Sequence, residues 1–309
     1  MKFAKHIKIL QTREAFMKIS AGIVLFEPDI LRLKQNVEAI KTDVEHIFLV
    51  DNGSKNINEV KSIFENDSKI SFILNEENLG IAKALNQLCE IAESQSFGYI
   101  LTLDQDSVCQ KNMIEEMLPY INFDTAIIAP KVIDDFENAQ KTECFDLTEN
   151  ITRCNTSGCL TNLNIWKDIG GFDERMFIDC VDFDYCTRVL KAKKRIIRVN
   201  RAVLHHRLGK AKEVKFFVFF GKLFGIEKLA KSFYTYNHSP LRTYYYARNI
   251  RYYFYKHKDF LDRKQEKRTY LRWFVLKVFF EKQKFKKLFA IIKGTIDSKK
   301  LIKEYKKMQ

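Results

Sequence analysis

The chain has 309 residues, 46% of them hydrophobic and 13% aromatic, enough to bury a substantial core and too apolar for a disordered chain. Its net charge of +14 is split: residues 1–200 carry 24 Lys and Arg against 31 Asp and Glu, residues 201–309 carry 29 against 8. Seven cysteines with no CxxC spacing argue against a disulfide framework or a structural zinc site and fit a reducing cytosol. The first twenty residues hold no apolar run long enough for a signal peptide. The patches FFVFF (216–220) and WFVLKVFF (273–280) fall well short of the roughly 18 to 20 residues that span a bilayer, so no transmembrane helix is expected.

Apolar runs AGIVLF (21–26), HIFLVD (46–51), ISFILN (70–75), YILTLD (99–104) and AIIAP (126–130) read as buried strands. Helical patterns fall between them at about 29–41, 56–66, 80–95 and 110–120. Such alternation implies βαβ units and a mainly parallel sheet, and ligands of such sheets bind beyond the carboxyl ends of the strands. Phe26, Asp51 to Ser54, Asn75 to Gly80 and Asp104 to Asp106 are thereby expected on one rim. Further on come a small-residue turn TSGCLTN (156–162), a helix around Trp166, the turn GGFDE (170–174), and a helix from about 179 to 193. Strands RIIRV (195–199) and AVLHH (202–206) follow, and past 210 the pattern is helical, basic and aromatic. Composition places a boundary near 210, giving units 1–210 and 211–309.

LDQDS (103–107) ends an apolar strand in two carboxylates, Asp104 and Asp106, one residue apart and able to aim at one point. Hard divalent cations, Mg²⁺ or Mn²⁺, take such oxygen ligands together with a diphosphate. In VDNGS (50–54), Asp51 can accept from a base N–H or a ribose hydroxyl, or close an ordinary Asx turn, while Gly53 permits the sharp bend. ENLGIAKALN (77–86) enters a helix whose amides and Lys83 can face a phosphate; a plain helix cap is the alternative. Asp179, Asp182 and Asp184 crowd a helix start, where acids complement the macrodipole, yet their apolar neighbours Phe177, Ile178, Val181 and Phe183 also suit a general base of raised pKa. Arg188 is placed to pair with Asp184 along that helix. His205 and His206 are structural or offer a further metal ligand.

The ordered set AGIVLFEPD, VDNGS, ENLGIAKALN, LDQDS, TSGCLTN, GGFDE…IDCVDFDYCTR, HHRLG and HSPLRTYYYARN resembles the family-2 glycosyltransferases of GT-A fold, closest to their rhamnosyltransferase-like branch, over about residues 20–250. The resemblance implies an α/β GT-A core with a basic helical C-terminal extension. It implies that Phe26 and Glu27, where most of the family has Tyr and Asn, line the nucleotide pocket, that Asp51 binds the base, and that Gly53, Asn78 and Gly80 lie nearby. Asp104 would face ribose and metal, Asp106 would ligate the metal, and His206 would join them. Asp182 matches the catalytic base; Val181 stands where the family often has Glu, with Asp179 supplying that charge. Ser157, Gly158 and Asp179 fall on the acceptor side, and Arg242, Arg248 and Asn249 match a basic patch toward the diphosphate.

The implied reaction is an inverting, metal-dependent transfer, best matched to dTDP-L-rhamnose, with UDP-hexose or UDP-galactofuranose as the alternative donor. The expected acceptor is a saccharide, lipid-linked, in cell-surface polysaccharide synthesis. Asp104, Asp106, Asp182 and His206 together argue against a catalytically silent scaffold. The basic, aromatic tail suits an anionic inner-leaflet surface, at the cytoplasmic face of the membrane, or packs on the core. Nucleic-acid binding is the rival class; no RNP-like or zinc motif accompanies it, and no nucleic-acid partner is expected.

Overall fold

The computed structural model describes residues 18–134, 146–206 and 237–308, with isolated positions between 212 and 235. FFVFF therefore lies largely outside the described residues, as do Cys144, Gly209 and most of the first twenty positions. The chain forms two compact units, one of Met1–Phe177 with Val181–Arg207 and the other of Ile178–Cys180 with Leu208–Gln309.

In the first unit, β1 (Ile19–Leu25), β2 (His46–Asp51), β3 (Ile70–Leu74) and β4 (Tyr99–Asp104) pair in parallel in the order β3-β2-β1-β4. All seven residues of β1 are buried, as expected of a strand covered on both faces. Helices α1 (Ile30–Ile40), α2 (Ile57–Phe64) and α3 (Ile81–Ser94) make the crossovers. Asp29 caps α1 by accepting the Arg32 N–H, and Leu33, Val37 and Ile40 form its buried face. A Cβ on Gly22 of β1 would lie 2.8 Å from a Leu88 methyl, so α3 packs closely on the sheet there.

Beyond β4 the sheet turns mixed, a departure from the mainly parallel expectation. β8 (Cys159–Asn162) lies antiparallel between β4 and β6 (Thr125–Asp134), and β6 pairs in parallel with β9 (Arg195–His206). β5 (Ser107–Cys109) and β7 (Thr148–Asn150) pair antiparallel with β9. The two strands expected at 195–199 and 202–206 are one, with a register shift against β6 between Val199 and Val203 that absorbs the extra residues. The helix expected at 110–120 is a short α4 (Met113–Met117) followed by a 3₁₀ turn at Leu118–Tyr120 containing Pro119, which lacks an N–H. After α5 (Leu163–Ile169), α6 (Val181–Lys191) starts two residues later than expected because Asp179 and Cys180 hold left-handed backbone, φ +65° and +64°.

The second unit contains a strand pair, β10 (Lys212–Glu213) with β11 (Tyr234–Thr235), then α7 (Pro240–Lys256), α8 (Arg263–Val275) and α9 (Lys284–Lys307). α7 and α9 pack tightly where Gly294 meets Ala247 and Arg248. Glu281 is buried and ion-paired to two buried lysines, Lys277 at 2.7 Å and Lys287 at 2.5 Å. Among the described residues no helix is long and apolar enough to cross a membrane.

Candidate active site

Register alone sets the frame of the site. On β1, Leu25 faces Asp51 and Val24 faces Asp104, so the two aspartates end the strands on either side of β1, within one residue of the same level. With strands about 4.8 Å apart, their backbones stand about 10 Å from each other.

Asp51 is buried. Its Oδ2 accepts the Gly53 and Ser54 N–H groups at 3.0 Å each, an Asx turn, while Oδ1 is buried without a hydrogen-bond partner. The Asx-turn reading of this residue holds on Oδ2, and Oδ1 is left over as a buried acceptor. Gly53 sits at φ +81° with a would-be Cβ 3.0 Å from the Glu77 backbone. Asn52 donates to the Gly80 carbonyl at 3.3 Å and accepts from Asn75, drawing the 75–80 loop onto the same rim. Asn78 accepts the Gly80 N–H at 2.9 Å. Gly80 is required: at φ +87° a Cβ would lie 2.5 Å from the Phe177 carbonyl oxygen. That carbonyl accepts the Ile81 N–H at 2.8 Å, so part of the helix start expected to face a phosphate is occupied by protein. Lys83, expected to face the same phosphate, pairs with Glu174 at 3.2 Å.

Each residue of the Asp104-Gln105-Asp106 turn is anchored by a different group. Asn36 of α1 donates to the Asp104 carbonyl at 2.8 Å and Arg32 donates to the Asp106 carbonyl at 2.7 Å. The Gln105 amide accepts the Phe26 N–H at 2.7 Å and donates to the Phe26 carbonyl at 3.1 Å, fixing the end of β1. Glu27, at φ +49°, donates its N–H to Ser54 Oγ and accepts the Lys55 N–H, so both nucleotide-pocket candidates lie on this rim.

The β5–β9 pairing sets His206 opposite Ser107, although 99 residues separate them. Alternation along the strand then gives His206, and not His205, the side shared with Ser107. Ser107 Oγ shares hydrogen bonds of 2.8 Å with His206 Nδ1 and with Ser157 Oγ, and Ser157 Oγ accepts the Asp104 N–H at 3.0 Å. Ser157, expected on the acceptor side, thus has its hydroxyl in a relay joining two of the three metal-ligand candidates, Asp104 and His206. Asp104, Asp106 and His206 bring one ligand atom each to within 4.8 Å of one another, a carboxylate and imidazole set that fits Mg²⁺ or Mn²⁺. Gly158, at φ +78°, leaves no room for a Cβ between Pro130 and Leu204.

Asp182 stands in the first turn of α6, its Oδ1 accepting the Phe183 N–H at 2.9 Å. Together with Cys154, Asn155, Thr156 and Cys186 it lines a small pocket. The same 154–159 segment borders a cleft of about 350 Å³ with Lys131, Arg153 and Ser157, so one loop adjoins both Asp182 and the serine relay. The Arg153 guanidinium lies 5.0 Å from the Phe183 ring centre. Contact with Cys159 and burial raise the Cys154 thiol well above its ordinary pKa, and contact with Cys154 and burial do the same to Cys186, so neither thiol is an activated nucleophile. Asp184 is structural: fully buried, it accepts from Arg188 Nε at 2.8 Å, and the same guanidinium donates to the carbonyls of Ile169 and Gly171.

Asp179, Arg242, Arg248 and Asn249 belong to the second unit. Arg242 donates to Asp179 Oδ1 at 3.0 and 3.1 Å; burial raises the Asp179 pKa and Arg242 works against that rise. Buried Asn249 donates to the carbonyls of Ile178 (2.8 Å) and Asp179 (3.1 Å), and Arg248 donates to Asn249 Oδ1. The diphosphate candidates of α7 thus hold the strap just ahead of Asp182. Sequence reasoning gave no role to Arg32, Asn36, Gln105 or Ser107. Asn36 alone carried a signal, a polar residue on the apolar face of α1.

Residues 27–165 match the family model described as glycosyl transferase family 2. The chain is 26% identical over 247 residues to the dTDP-rhamnosyl transferase RfbF of Shigella flexneri, covering 75% of this chain and 78% of that protein. Its fold is similar to that of S. aureus TarS in complex with UDP-GlcNAc, at TM-score 0.55 and 15% identity, covering 91% of this chain and 80% of that one. GalNAc-T7 with UDP, GalNAc and Mn²⁺ aligns at TM-score 0.51 and 12% identity over 62% of this chain and 44% of that one. The family-2 domain over residues 27–165, the likeness to a rhamnosyl transferase over three-quarters of the chain and the GT-A-like fold together support a glycosyltransferase of the family-2, rhamnosyltransferase-like kind.

Proposed function

We propose that the protein transfers L-rhamnose from dTDP-L-rhamnose, with inversion, to a hydroxyl of a lipid-linked saccharide during cell-surface polysaccharide synthesis, working at the cytoplasmic face of the membrane. The donor reading is supported by the likeness to a dTDP-rhamnosyl transferase. The observation that carries the site is the gathering of Asp104, Asp106 and His206 one strand away from β1 and level with Asp51. Their separation from Asp51 suits a nucleoside diphosphate, with the base at the Asp51 end, where a buried carboxylate oxygen can accept an N–H.

Asp104, Asp106 and His206 hold a divalent cation in this reading. Such an ion, when bound, offsets the charge growing on the departing diphosphate. Ser107 and Ser157 keep His206 and the Asp104 backbone in place, and Gln105 keeps the nucleotide-pocket turn at Phe26 and Glu27. Asp182 takes the proton from the acceptor hydroxyl as that oxygen attacks the anomeric carbon opposite the diphosphate. Gly158 adjoins the acceptor beside the 154–159 loop, Asp179 supplies the charge that Val181 lacks, and the fold divides its work between a catalytic part up to about 210 and a basic helical extension.

The test is a donor screen measuring nucleotide release with dTDP- and UDP-sugars, with and without Mn²⁺, on wild type and Asp182→Asn. Removing a general base should lower turnover about 10²- to 10⁴-fold while dTDP binding persists. Release from a UDP-sugar but not from dTDP-L-rhamnose would overturn the donor assignment. Near wild-type turnover by Asp182→Asn would remove the base.

A further inference from the structure

Helix α9 turns its more apolar side away from the fold. At about 100° per residue, Lys287, Ile291, Gly294 and Ser298 share one stripe, and all four are buried. Phe285, Phe289, Ile292 and Ile296 share a stripe about 160° around the helix from it. They are 80%, 72%, 49% and 58% exposed, the reverse of what a helix on a globular core presents to water. Exposed lysines flank this stripe on both sides, Lys299 on one and Lys286, Lys293 and Lys300 on the other.

We propose that this stripe is the face by which the protein seats on an anionic lipid surface, with α9 lying in the interface plane. The proposal rests on the membrane-face reading above and gives it a specific surface. Charge selects the occupant. α9 carries nine lysines against Asp297 and Glu304, so a second copy docking by the same face would bring like charges together. A nucleic acid would satisfy the lysines and leave four large apolar side chains in water. An anionic bilayer accepts the apolar stripe among its acyl chains and the lysines at its headgroups.

The experiment is co-sedimentation of the full chain with vesicles of phosphatidylcholine alone, or with about one-third phosphatidylglycerol. The wild type should sediment with the anionic vesicles and be released by high salt. A Phe285→Ser/Phe289→Ser double variant should lose about tenfold or more in partitioning. Because both side chains are exposed, its circular dichroism and its nucleotide release with a soluble acceptor should stay as in the wild type. Equal sedimentation of variant and wild type, or equal binding to neutral vesicles, would overturn the proposal. So would a lipid-free dimer that the double variant dissociates, which would assign the stripe to a second copy. Loss of donor turnover in the wild type would refute the transferase reading and leave the vesicle result standing.

Discussion

Asn249→Ala tests whether α7 acts on catalysis through the strap that precedes Asp182. Asp179 and Cys180 both hold left-handed backbone, each at a cost of about 1–2 kcal/mol for a residue with a Cβ. Two hydrogen bonds from Asn249 to the carbonyls of Ile178 and Asp179 offset that cost by about 1 kcal/mol each. Removing both takes away about 2 kcal/mol, which would lower turnover up to about 30-fold if it all appeared as loss of the competent strap. Steady-state kinetics on Asn249→Ala should show kcat reduced between about threefold and 30-fold, with KM for the donor changed less than about twofold. Cys180→Gly in the same background should recover part of the loss, since glycine adopts this backbone freely. A raised donor KM with unchanged kcat would refute the reasoning and return Asn249 to the diphosphate. Failure of Cys180→Gly to rescue would show that strain is not the link.

Three further outcomes follow from particular contacts. Ser107→Ala removes the hydroxyl between His206 and Ser157; the Mn²⁺ concentration for half-maximal turnover should rise about 10- to 100-fold, and an unchanged titration would deny the relay its role. Arg188→Ala takes the paired guanidinium from the fully buried Asp184 carboxylate and should cost about 3–5 kcal/mol in urea unfolding; a loss below about 1 kcal/mol would contradict a structural pair. His238 has its pKa pushed down to about 3 by burial and by the nearby positive charges of Arg242, Lys277 and Lys287, against the opposing Glu281. The unfolded imidazole takes up a proton below about 6.5 and the folded one resists, so this contribution to stability is complete above pH 6.5 and is lost as pH falls toward 3. Asp179, with its pKa raised, contributes in the opposite sense. Comparing unfolding of wild type and His238→Gln across that range isolates the histidine; parallel curves would contradict it.

Strands and crossover helices were legible because burial writes itself into apolar runs: β2 and β4 fall where HIFLVD and YILTLD place them. The strand order past β4 was not, since antiparallel insertion of β8 depends on pairing partners far apart in the chain. Asp51, Asp104, Asp106 and His206 were visible as strand-end polar residues, and register brings the last three together. What composition hides is who holds them. Lys83 looked like a phosphate ligand because Glu174, its partner, is 91 residues away. The serine relay likewise joins three segments that share no local pattern.

The detour of Ile178–Cys180 makes the two halves of this enzyme inseparable in a practical sense. Cutting the chain after His206 would retain the tripeptide and discard Arg242 and Asn249, the side chains that support its unusual backbone. A tail taken from a relative would therefore have to bring its own tripeptide to find the same support.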